Sequence, residues 1–259
     1  MIQIFNSRNR QEFWDKIPEK VLKRMEGIDD FVVRIGPGGY LLAFHGLDES
    51  QAFLYFDEDE CDLYADSVML YKHAMNINQD DSVQDMQMFF TDLTKTDLVH
   101  LQQLENDVSR LEEKLLTGNI PTSEGSKRIL RYHKTIRRRK RYYQRLEFVT
   151  DELQNMDPRF SSLSRRFDRL YKTILRVDEN LEQVREAYQS QIDIEQNQTM
   201  KVLTVVTTIV MPLTLIVGWY GMNLNMPEFH WHFGYPYVIL LSLGTVALML
   251  YIFKKNHWF

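Results

Sequence analysis

The hydrophobic positions in the first 95 residues are spaced as in short β-strands. Two apolar stretches in FVVRIGPGGYLLAFHG flank a turn of glycine and proline at 36–39, and a third stretch, QAFLYF, occupies 51–56. Proline fixes φ and glycine tolerates positive φ, so these residues suit a tight turn between two strands. We therefore predict an α/β domain over residues 1–95.

The next hydrophobic positions recur at helical spacing. Leucine and valine repeat from Leu98 to Leu115, the run TGNIP interrupts them at 117–121, and a second, basic helix extends from about Ser126 to Asn155. Glycine and proline between two periodic segments mark a helix break. The pattern predicts a helical hairpin over 96–157.

The second of these helices contains the basic run RRRKR at 137–141. Such a run suits either a patch that binds phosphate or anionic lipid, or a solvated helix face whose charges pair with neighbouring acids. The apolar positions Ile136, Tyr143 and Leu146 continue through the run. Their spacing favours the solvated face.

After Pro158, eight apolar residues recur at alternating steps of four and three. They are Leu163, Phe167, Leu170, Ile174, Val177, Leu181, Val184 and Tyr188. This period of 3.5 predicts a long helix with one packed seam. No glycine or proline lies between Arg159 and Met211, so we expect a stalk helix of about 90 Å over 158–220 that runs directly into a membrane span.

Two uncharged apolar stretches, at 202–220 and 233–253, end the chain. As helices they would measure about 28 and 32 Å, close to the ~30 Å hydrocarbon core of a bilayer. They predict two transmembrane helices joined by the loop 221–232. With the α/β start and the stalk, the expected fold is mainly α.

Lysines orient these spans. Lys201 precedes the first span, a basic tail at 254–259 follows the second, and the loop between them contains no lysine or arginine. Basic residues concentrate on the cytoplasmic side of membrane proteins. We therefore predict a multi-pass plasma-membrane protein whose N- and C-termini and α/β domain are cytoplasmic and whose loop is outside.

One face of the first span avoids large aliphatic side chains. Steps of three and four along this face give Asn197, Met200, Thr204, Thr207, Met211, Thr214 and Gly218. Small and hydroxyl residues of this kind allow either close helix packing or, around a symmetry axis, a polar pore. Two spans in one chain cannot enclose a pore, so the second interpretation requires a cyclic homo-oligomer.

Charge and cysteine content exclude several other functions. The formal net charge is −5, which is unlike the basic surface of a nucleic-acid-binding protein. Cys61 is the one cysteine, so the chain has neither a disulfide framework nor a cysteine-based zinc site. No constellation of catalytic residues is evident, and we do not expect an enzyme.

The end of the first span carries the sequence YGMN at 220–223, which resembles the Gly-Met-Asn signature of the CorA family of divalent-cation channels. The similarity continues through MKVLTVVTTIVMPLT at 200–214, FGYP at 233–236 and the terminal KKNHWF. It covers roughly the last 65 residues. Upstream, only the architecture is similar.

The resemblance implies a homopentameric funnel in the lipid bilayer, with five first spans around the pore. It assigns Gly221, Met222 and Asn223 to the selectivity filter, and Met211 and Leu203 to constrictions. Together with the polar face, the predicted pore-lining residues are Asn197, Met200, Leu203, Thr204, Thr207, Met211, Thr214 and Gly218.

Acidic residues extend the predicted pathway at both ends. Glu186 stands where the family tends to place an acidic ring in the stalk, and Asp193 joins it because both point within about 40° of Asn197 on a helix. At the outer mouth the loop acid is Glu228. The loop is one residue shorter than usual in the family, since only Leu224 and Asn225 separate the signature from MPE.

Two acidic runs in the N-terminal domain are candidates for regulatory Mg²⁺ sites between subunits. They contain Asp57, Glu58, Asp59, Glu60, Asp62, Asp80 and Asp81. A solvated acidic loop is the alternative. The cytoplasmic domain is also shorter than the family usually has.

The function implied by the resemblance is passive influx of Mg²⁺, with Co²⁺ and Ni²⁺ as further candidate ions, driven by the membrane potential. Mg²⁺ would be the transported ion and a candidate regulator, and no organic substrate or nucleic-acid partner is expected. Two alternatives are a Zn²⁺ transporter of the same superfamily and a membrane-tethered helical scaffold that conducts no ions.

Overall fold

The computed structural model describes residues 2–25, 27–75, 77, 81–118, 120–222 and 232–256. The chain forms two compact units, Met1–Glu186 and Ala187–Phe259. The boundary falls inside one long helix, which contributes residues to both units.

A five-stranded sheet forms the start of the first unit. Its strands are β1 (Ile2–Phe5), β2 (Phe31–Ile35), β3 (Gly39–His45), β4 (Gln51–Phe56) and β5 (Cys61–Ala65). They lie in the order β1-β5-β4-β3-β2, with β1 parallel to β5 and all other pairs antiparallel. The predicted hairpin and third strand are confirmed as β2, β3 and β4, whereas β1 and β5 were not predicted.

Helices cover both faces of this sheet. On one face, α1 (Arg10–Trp14) and α2 (Glu19–Met25) pack on a cluster that includes Leu41 and Ala43 of β3. On the other face, Phe44 of β3 contacts Phe90, with ring centroids 5.1 Å apart. Alternate residues of a strand point to opposite faces, so β3 is buried along most of its length because both faces are covered.

Six further α-helices follow in the described chain. They are α3 (Val68–Ala74), α4 (Ser82–Leu93), α5 (Asp97–Leu116), α6 (Thr122–Met156) and α7 (Ser161–Tyr220), and after them comes α8 (Gly234–Lys255). The predicted hairpin corresponds to α5 and α6. Helix α6 begins four residues earlier than predicted, directly after Pro121, because proline is well tolerated next to the first helical turn.

The predicted seam of α7 is confirmed. All eight of its residues, from Leu163 to Tyr188, are buried. Phe167 contacts Phe90 of α4 at 6.0 Å between ring centroids, and α6 is linked to α7 by Lys140, which bonds Asp178 at 2.6 Å. The seam therefore joins the stalk portion of α7 to the rest of the first unit.

The second unit contains both predicted spans. The first continues as helix to Tyr220 with Pro212 inside it, and the second occupies Gly234–Lys255. Both helices are long and apolar enough to cross a membrane.

Candidate ion pathway along the first membrane span

The polar face predicted for the first span is exposed throughout. This holds for all seven residues chosen by the 3.5-residue period: Asn197, Met200, Thr204, Thr207, Met211, Thr214 and Gly218. The two thioether side chains are among the more exposed, at 59% for Met200 and 72% for Met211. One chain thus leaves this face uncovered.

The opposite face of the same span is shielded. The less exposed residues recur at helical spacing and are Val205, Thr208, Ile209, Pro212, Leu213, Ile216 and Tyr220. Helix α8 has a similar shielded face, formed by Gly234, Val238, Ser242, Thr245, Val246, Met249 and Phe253. Each span of this unit thus has one less exposed face, and the polar face of α7 lies on the more exposed side of its helix.

The three threonines of the polar face all donate their hydroxyl hydrogens to backbone carbonyls of their own helix. Thr204 donates to the Met200 carbonyl at 2.7 Å, Thr207 to the Leu203 carbonyl at 2.9 Å and Thr214 to the Val210 carbonyl at 2.9 Å. A hydroxyl has one hydrogen and two acceptor lone pairs. With the hydrogen used within the helix, each oxygen presents only acceptors to its surroundings.

A groove of about 780 Å³ follows this face from Val206 to Met222. It brings together Thr207, Met211, Thr214, Gly218 and Met222. It also includes Val206, Val210, Leu215 and Trp219, which strict steps of three and four omit. A straight helix drifts by about 20° per heptad relative to a strict 3.5-residue repeat, so the groove also meets residues beside that stripe.

The signature begins where α7 ends. The Gly221 amide donates to the Val217 carbonyl at 2.9 Å. A Cβ at Gly221 would lie 2.9 Å from that same oxygen. Glycine, which has no Cβ, therefore lets the backbone at 221 approach the Val217 carbonyl this closely. Met222 is half exposed. Asn223 and Glu228 lie outside the residues that the structure describes.

The predicted constriction at Leu203 is less well aligned than the one at Met211. Leu203 is 55% exposed. Its position eight residues before Met211 places it about 80° around the helix from Met211. It therefore borders the polar face.

The two stalk acids are both exposed. Asp193 accepts a hydrogen bond from Gln189 at 3.1 Å. Arg185, the residue before Glu186, forms its described ion pair with Glu182 at 3.2 Å. This pair leaves the charge of the Glu186 carboxylate without compensation from Arg185.

The acidic run 57–62 is divided between a turn and a strand. Asp57 accepts from the backbone of Asp59 and Glu60 at 2.9 and 2.8 Å and from the Tyr55 hydroxyl at 2.7 Å. Partial burial opposes ionisation, but these hydrogen bonds outweigh it and lower the pKa of Asp57. Asp57 thus organises the turn before β5.

Asp62 lies on β5 and is buried. Its carboxylate pairs with Lys16 Nζ at 2.5 Å, which also contacts Glu60 at 2.7 Å. Burial raises the pKa of Asp62, and Lys16 partly offsets this effect. Cys61 is buried beside it, and burial raises the pKa of its thiol, which disfavours the reactive thiolate form.

The other regulatory candidates are dispersed. Glu58 and Asp59 are exposed, and Asp81 caps α4 by accepting from the Val83 amide at 2.8 Å. Asp80 lies outside the described residues. Among residues 2–222 and 232–256, apart from the short gaps given above, no three His, Cys, Asp or Glu side chains are grouped to hold a metal ion. The described acids of this group therefore do not form a metal site within one chain.

Two of the five residues in the basic run of α6, Lys140 and Arg141, pair with acids, which agrees in part with the predicted solvated face. Lys140 bonds Asp178 and Arg141 bonds Glu49 at 2.9 Å. Ile136, Tyr143 and Leu146 are buried beneath the run.

Comparison with known proteins agrees with this architecture. Residues 68–255 match the family model described as CorA-like Mg²⁺ transporter protein. The chain is 44% identical over 79 residues to the magnesium transport protein CorA of Wolinella succinogenes, which is 30% of this chain and 25% of that protein. It is 30% identical over 171 residues to the cobalt/magnesium transport protein CorA of Thermotoga maritima, which is 62% of this chain and 48% of that protein.

A solved structure shares the fold. The CorA magnesium transporter from Methanocaldococcus jannaschii matches 99% of this chain and 90% of its own with a TM-score of 0.73, at 20% sequence identity. The curated relatives are matched over half of their length or less. The family model, however, covers nearly three quarters of this chain, from α3 to the end of α8. The chain belongs to the family of CorA-like Mg²⁺ transporter proteins.

Proposed function

We propose that this protein conducts Mg²⁺ passively across the plasma membrane, through a pore lined by copies of α7. The observation that carries the proposal is the contrast between the two faces of the first span. The face opposite the polar residues is shielded within one chain, whereas the polar face is uncovered. The names of the relatives, which are magnesium and cobalt/magnesium transport proteins, support Mg²⁺ as the ion.

The chemistry of the uncovered face suits a hydrated cation. Mg²⁺ gives up its water reluctantly and usually retains several water molecules when bound. The hydrogens of those waters point outward, so they need acceptors. Thr204, Thr207 and Thr214 present such acceptors, because their own hydrogens are used within the helix.

The filter is proposed at Gly221, Met222 and Asn223. A ring of Asn223 amide oxygens would accept hydrogen bonds from the waters of the ion without the deep electrostatic trap that carboxylates create. Glu228, the acid proposed for the outer mouth, would attract cations to the filter. The narrow points of the pore are proposed at Met211 and Leu203.

The assembly is proposed to be a homopentamer with both termini in the cytoplasm. Two spans cannot surround a conduit, so copies around a cyclic axis must complete it. Five copies of the 31.0 kDa chain give roughly 155 kDa. The influx needs no coupled energy source such as nucleotide hydrolysis. A divalent ion that enters gains about 4.6 kcal/mol per 100 mV of inside-negative potential, twice the value for one charge.

Regulation by internal Mg²⁺ is proposed for the stalk. Five copies of Glu186 and Asp193 around the axis would repel one another unless cations neutralise them. Of the other candidates, Glu58, Asp59 and Glu60 are exposed, and Lys16 pairs with Glu60 and with the buried Asp62. A regulatory site in the N-terminal domain would therefore use the exposed acids and a second subunit.

The proposal places the protein among channels rather than enzymes, and the direct test is ion flux. Purified protein is reconstituted into liposomes that contain a Mg²⁺-sensitive dye, and a K⁺ gradient with valinomycin sets an inside-negative potential. We expect Mg²⁺ influx that rises with the potential and is absent from protein-free liposomes. Influx that is the same with and without the protein would disprove conduction.

The same vesicles separate this function from its alternatives. Replacing external Mg²⁺ by Zn²⁺, with a Zn²⁺-sensitive dye, tests a zinc transporter. A non-conducting scaffold would pass neither ion, although the protein would still be inserted and oligomeric by native mass spectrometry.

A further inference from the structure

A small polar cleft lies in the first unit between α6 and the loop that joins β3 to β4. It has a volume of about 200 Å³. Arg138, Arg141 and Arg145 line one wall at steps of three and four, and His45 lies at the end of β3. Residues at these steps share one helix face, so three guanidinium groups converge on one concavity.

Arg138 is held by a neutral partner. Its Nε and Nη2 donate to the Leu47 carbonyl oxygen at 2.9 and 2.6 Å. A carbonyl fixes the position of the guanidinium group but does not neutralise its charge. The described bonds of Arg138 therefore orient a full positive charge at the cleft.

Arg141 has an acidic partner that is easily displaced. Its Nη2 lies 2.9 Å from Glu49 Oε1, and the two side chains are 60% and 58% exposed. Ion pairs this exposed contribute little free energy and open readily. An anion in the cleft could replace Glu49 as the partner of Arg141.

Arg145 is compensated from within the protein. Its Nε is 3.2 Å from Asp30 Oδ2, and the other oxygen of Asp30 is 2.8 Å from His45 Nδ1. The Asp30 side chain is only 12% exposed, so it holds both basic groups at the wall. Three arginines against two carboxylates, Asp30 and Glu49, leave the cleft with an excess of one positive charge.

We propose that this cleft binds a phosphoryl-type oxyanion, which takes the place of the Glu49 carboxylate. Guanidinium groups bind phosphate oxygens with two parallel hydrogen bonds, and such charge-assisted bonds are stronger than neutral ones. Pockets that enclose drug-sized molecules measure about 300–1,000 Å³. This smaller cleft would admit a phosphoryl group alone, either as inorganic phosphate or as the terminal group of a nucleotide.

The test is calorimetric titration of the full-length protein in detergent with inorganic phosphate, in Mg²⁺-free buffer of constant ionic strength. We expect one saturable site per chain. Arg141→Gln should weaken phosphate binding about tenfold, the loss expected for one charge-assisted hydrogen bond. The control is Arg137→Gln, which removes the same charge from the same helix but from a side chain that contacts His133 and does not line the cleft.

The opposite substitution gives an effect of opposite sign. Glu49→Gln removes the competing carboxylate and should tighten phosphate binding about fivefold. Its control is Glu124→Gln, which removes an equal charge from α6 where Glu124 pairs with Arg128 at 2.5 Å. This pair of variants keeps the fold intact, because both glutamates are exposed, and it distinguishes the cleft from a general electrostatic effect.

A parallel titration with adenosine triphosphate identifies the source of the phosphoryl group. Tighter binding than that of phosphate, with the same response to Glu49→Gln, would assign the site to a nucleotide, and equal or weaker binding would assign it to phosphate. No saturable binding of either compound would overturn the proposal. Equal changes in the cleft variants and their controls would also overturn it.

Discussion

The two halves of α7 obey the same periodicity and differ in what covers them. From Leu163 to Tyr188 the residues that recur every 3.5 positions are apolar and buried. From Asn197 to Gly218 the residues that recur with the same period are polar, thioether or glycine, and they are exposed. The same period therefore describes two faces of α7, and among the described residues the first face is buried whereas the second is exposed.

The difference shows which contacts a single chain can supply. The first half packs on aromatic residues of its own unit, for example Phe167 on Phe90. The second half exposes large apolar side chains such as Val202 and Trp219, which lipid can cover. Lipid cannot donate hydrogen bonds to the hydroxyl acceptors of the polar face, and in the proposed function water and further copies of the chain cover that face.

The largest effect is expected at the end of the uncovered face. Asn223→Ala should reduce Mg²⁺ influx by about tenfold or more, because five amides that would stabilise the ion at the barrier are lost together. The measurement is influx into proteoliposomes under an inside-negative potential. Asn225→Ala, which removes an amide two residues away, is the control. Wild-type influx in the Asn223 variant would place the filter elsewhere.

A substitution in the covered half of α7 should instead lower the free energy of unfolding. Phe167→Ala removes a fully buried ring and should cost about 3–5 kcal/mol of unfolding free energy. Leu130→Ala is the control, since Leu130 on α6 is 68% exposed and its loss should change stability by less than about 0.5 kcal/mol. Thermal unfolding in detergent, followed by near-UV circular dichroism, compares the two. Equal shifts would show that the seam is not packed as described.

The length of each periodic segment explains what the sequence could predict. The seam of α7 and both spans extend over many turns, so their positions are correct to within a few residues. Strand β5 was not predicted, because its first residues, Cys61 and Asp62, continue an acidic run that is typical of a loop. The partner that permits this strand, Lys16, lies 46 residues away, and no local pattern predicts that pairing.

The polar face was predicted from the residues, but its accessibility was not. Steps of three and four identified all seven residues, yet they fit close packing and a pore equally well. The shielded face around Ile209 and Leu213 depends on the fold of the whole second unit. The inward direction of the threonine hydroxyls is likewise a property of side-chain conformation, which composition does not determine.

At the junction of the two halves of α7, Glu186 and Asp193 should control how strongly internal Mg²⁺ inhibits Mg²⁺ influx. Millimolar Mg²⁺ inside vesicles should slow influx, and Glu186→Gln with Asp193→Asn should weaken that inhibition several-fold, because the mutual repulsion that Mg²⁺ relieves is gone. Glu195→Gln is the control: Glu195 is exposed, and two residues from Asn197 it points to a different side of the helix. Vesicles preloaded with graded Mg²⁺ give the inhibition curves. Superimposable curves for the double variant and wild type would remove the stalk acids from gating.

The smallest effect is expected at the start of the covered half. Asp157 accepts from the Arg159 backbone and side chain at 2.9 and 2.8 Å, and this bonding to Arg159 lowers the pKa of Asp157 below its ordinary 3.8. A lowered folded-state pKa stabilises the fold above the unfolded value, and the stabilisation is lost as the pH falls through the folded value. Asp157→Asn should cost about 1 kcal/mol at pH 7, and the difference from wild type should begin to shrink as the pH falls below the unfolded pKa of about 3.9 and shrink further as it falls through the lower folded-state pKa.

Melting temperatures at pH 7, 5, 4 and 3 measure this difference. Asp151→Asn serves as the control, since Asp151 is an exposed carboxylate on α6. A loss of stability in Asp157→Asn that stays constant from pH 7 to pH 3 would show that the carboxylate charge is not responsible.

The central claim is that the uncovered face of α7 borders the path of the ion, and adjacent cysteines test it most directly. In a Cys61→Ala background, Thr214→Cys places thiols on the polar face and Leu213→Cys places them on the shielded face one residue away. Thiolates bind soft metals such as Cd²⁺ tightly, so Cd²⁺ should block Mg²⁺ influx through Thr214→Cys and leave influx through Leu213→Cys unchanged. If both variants conduct and Cd²⁺ affects them equally, the polar face does not line the path.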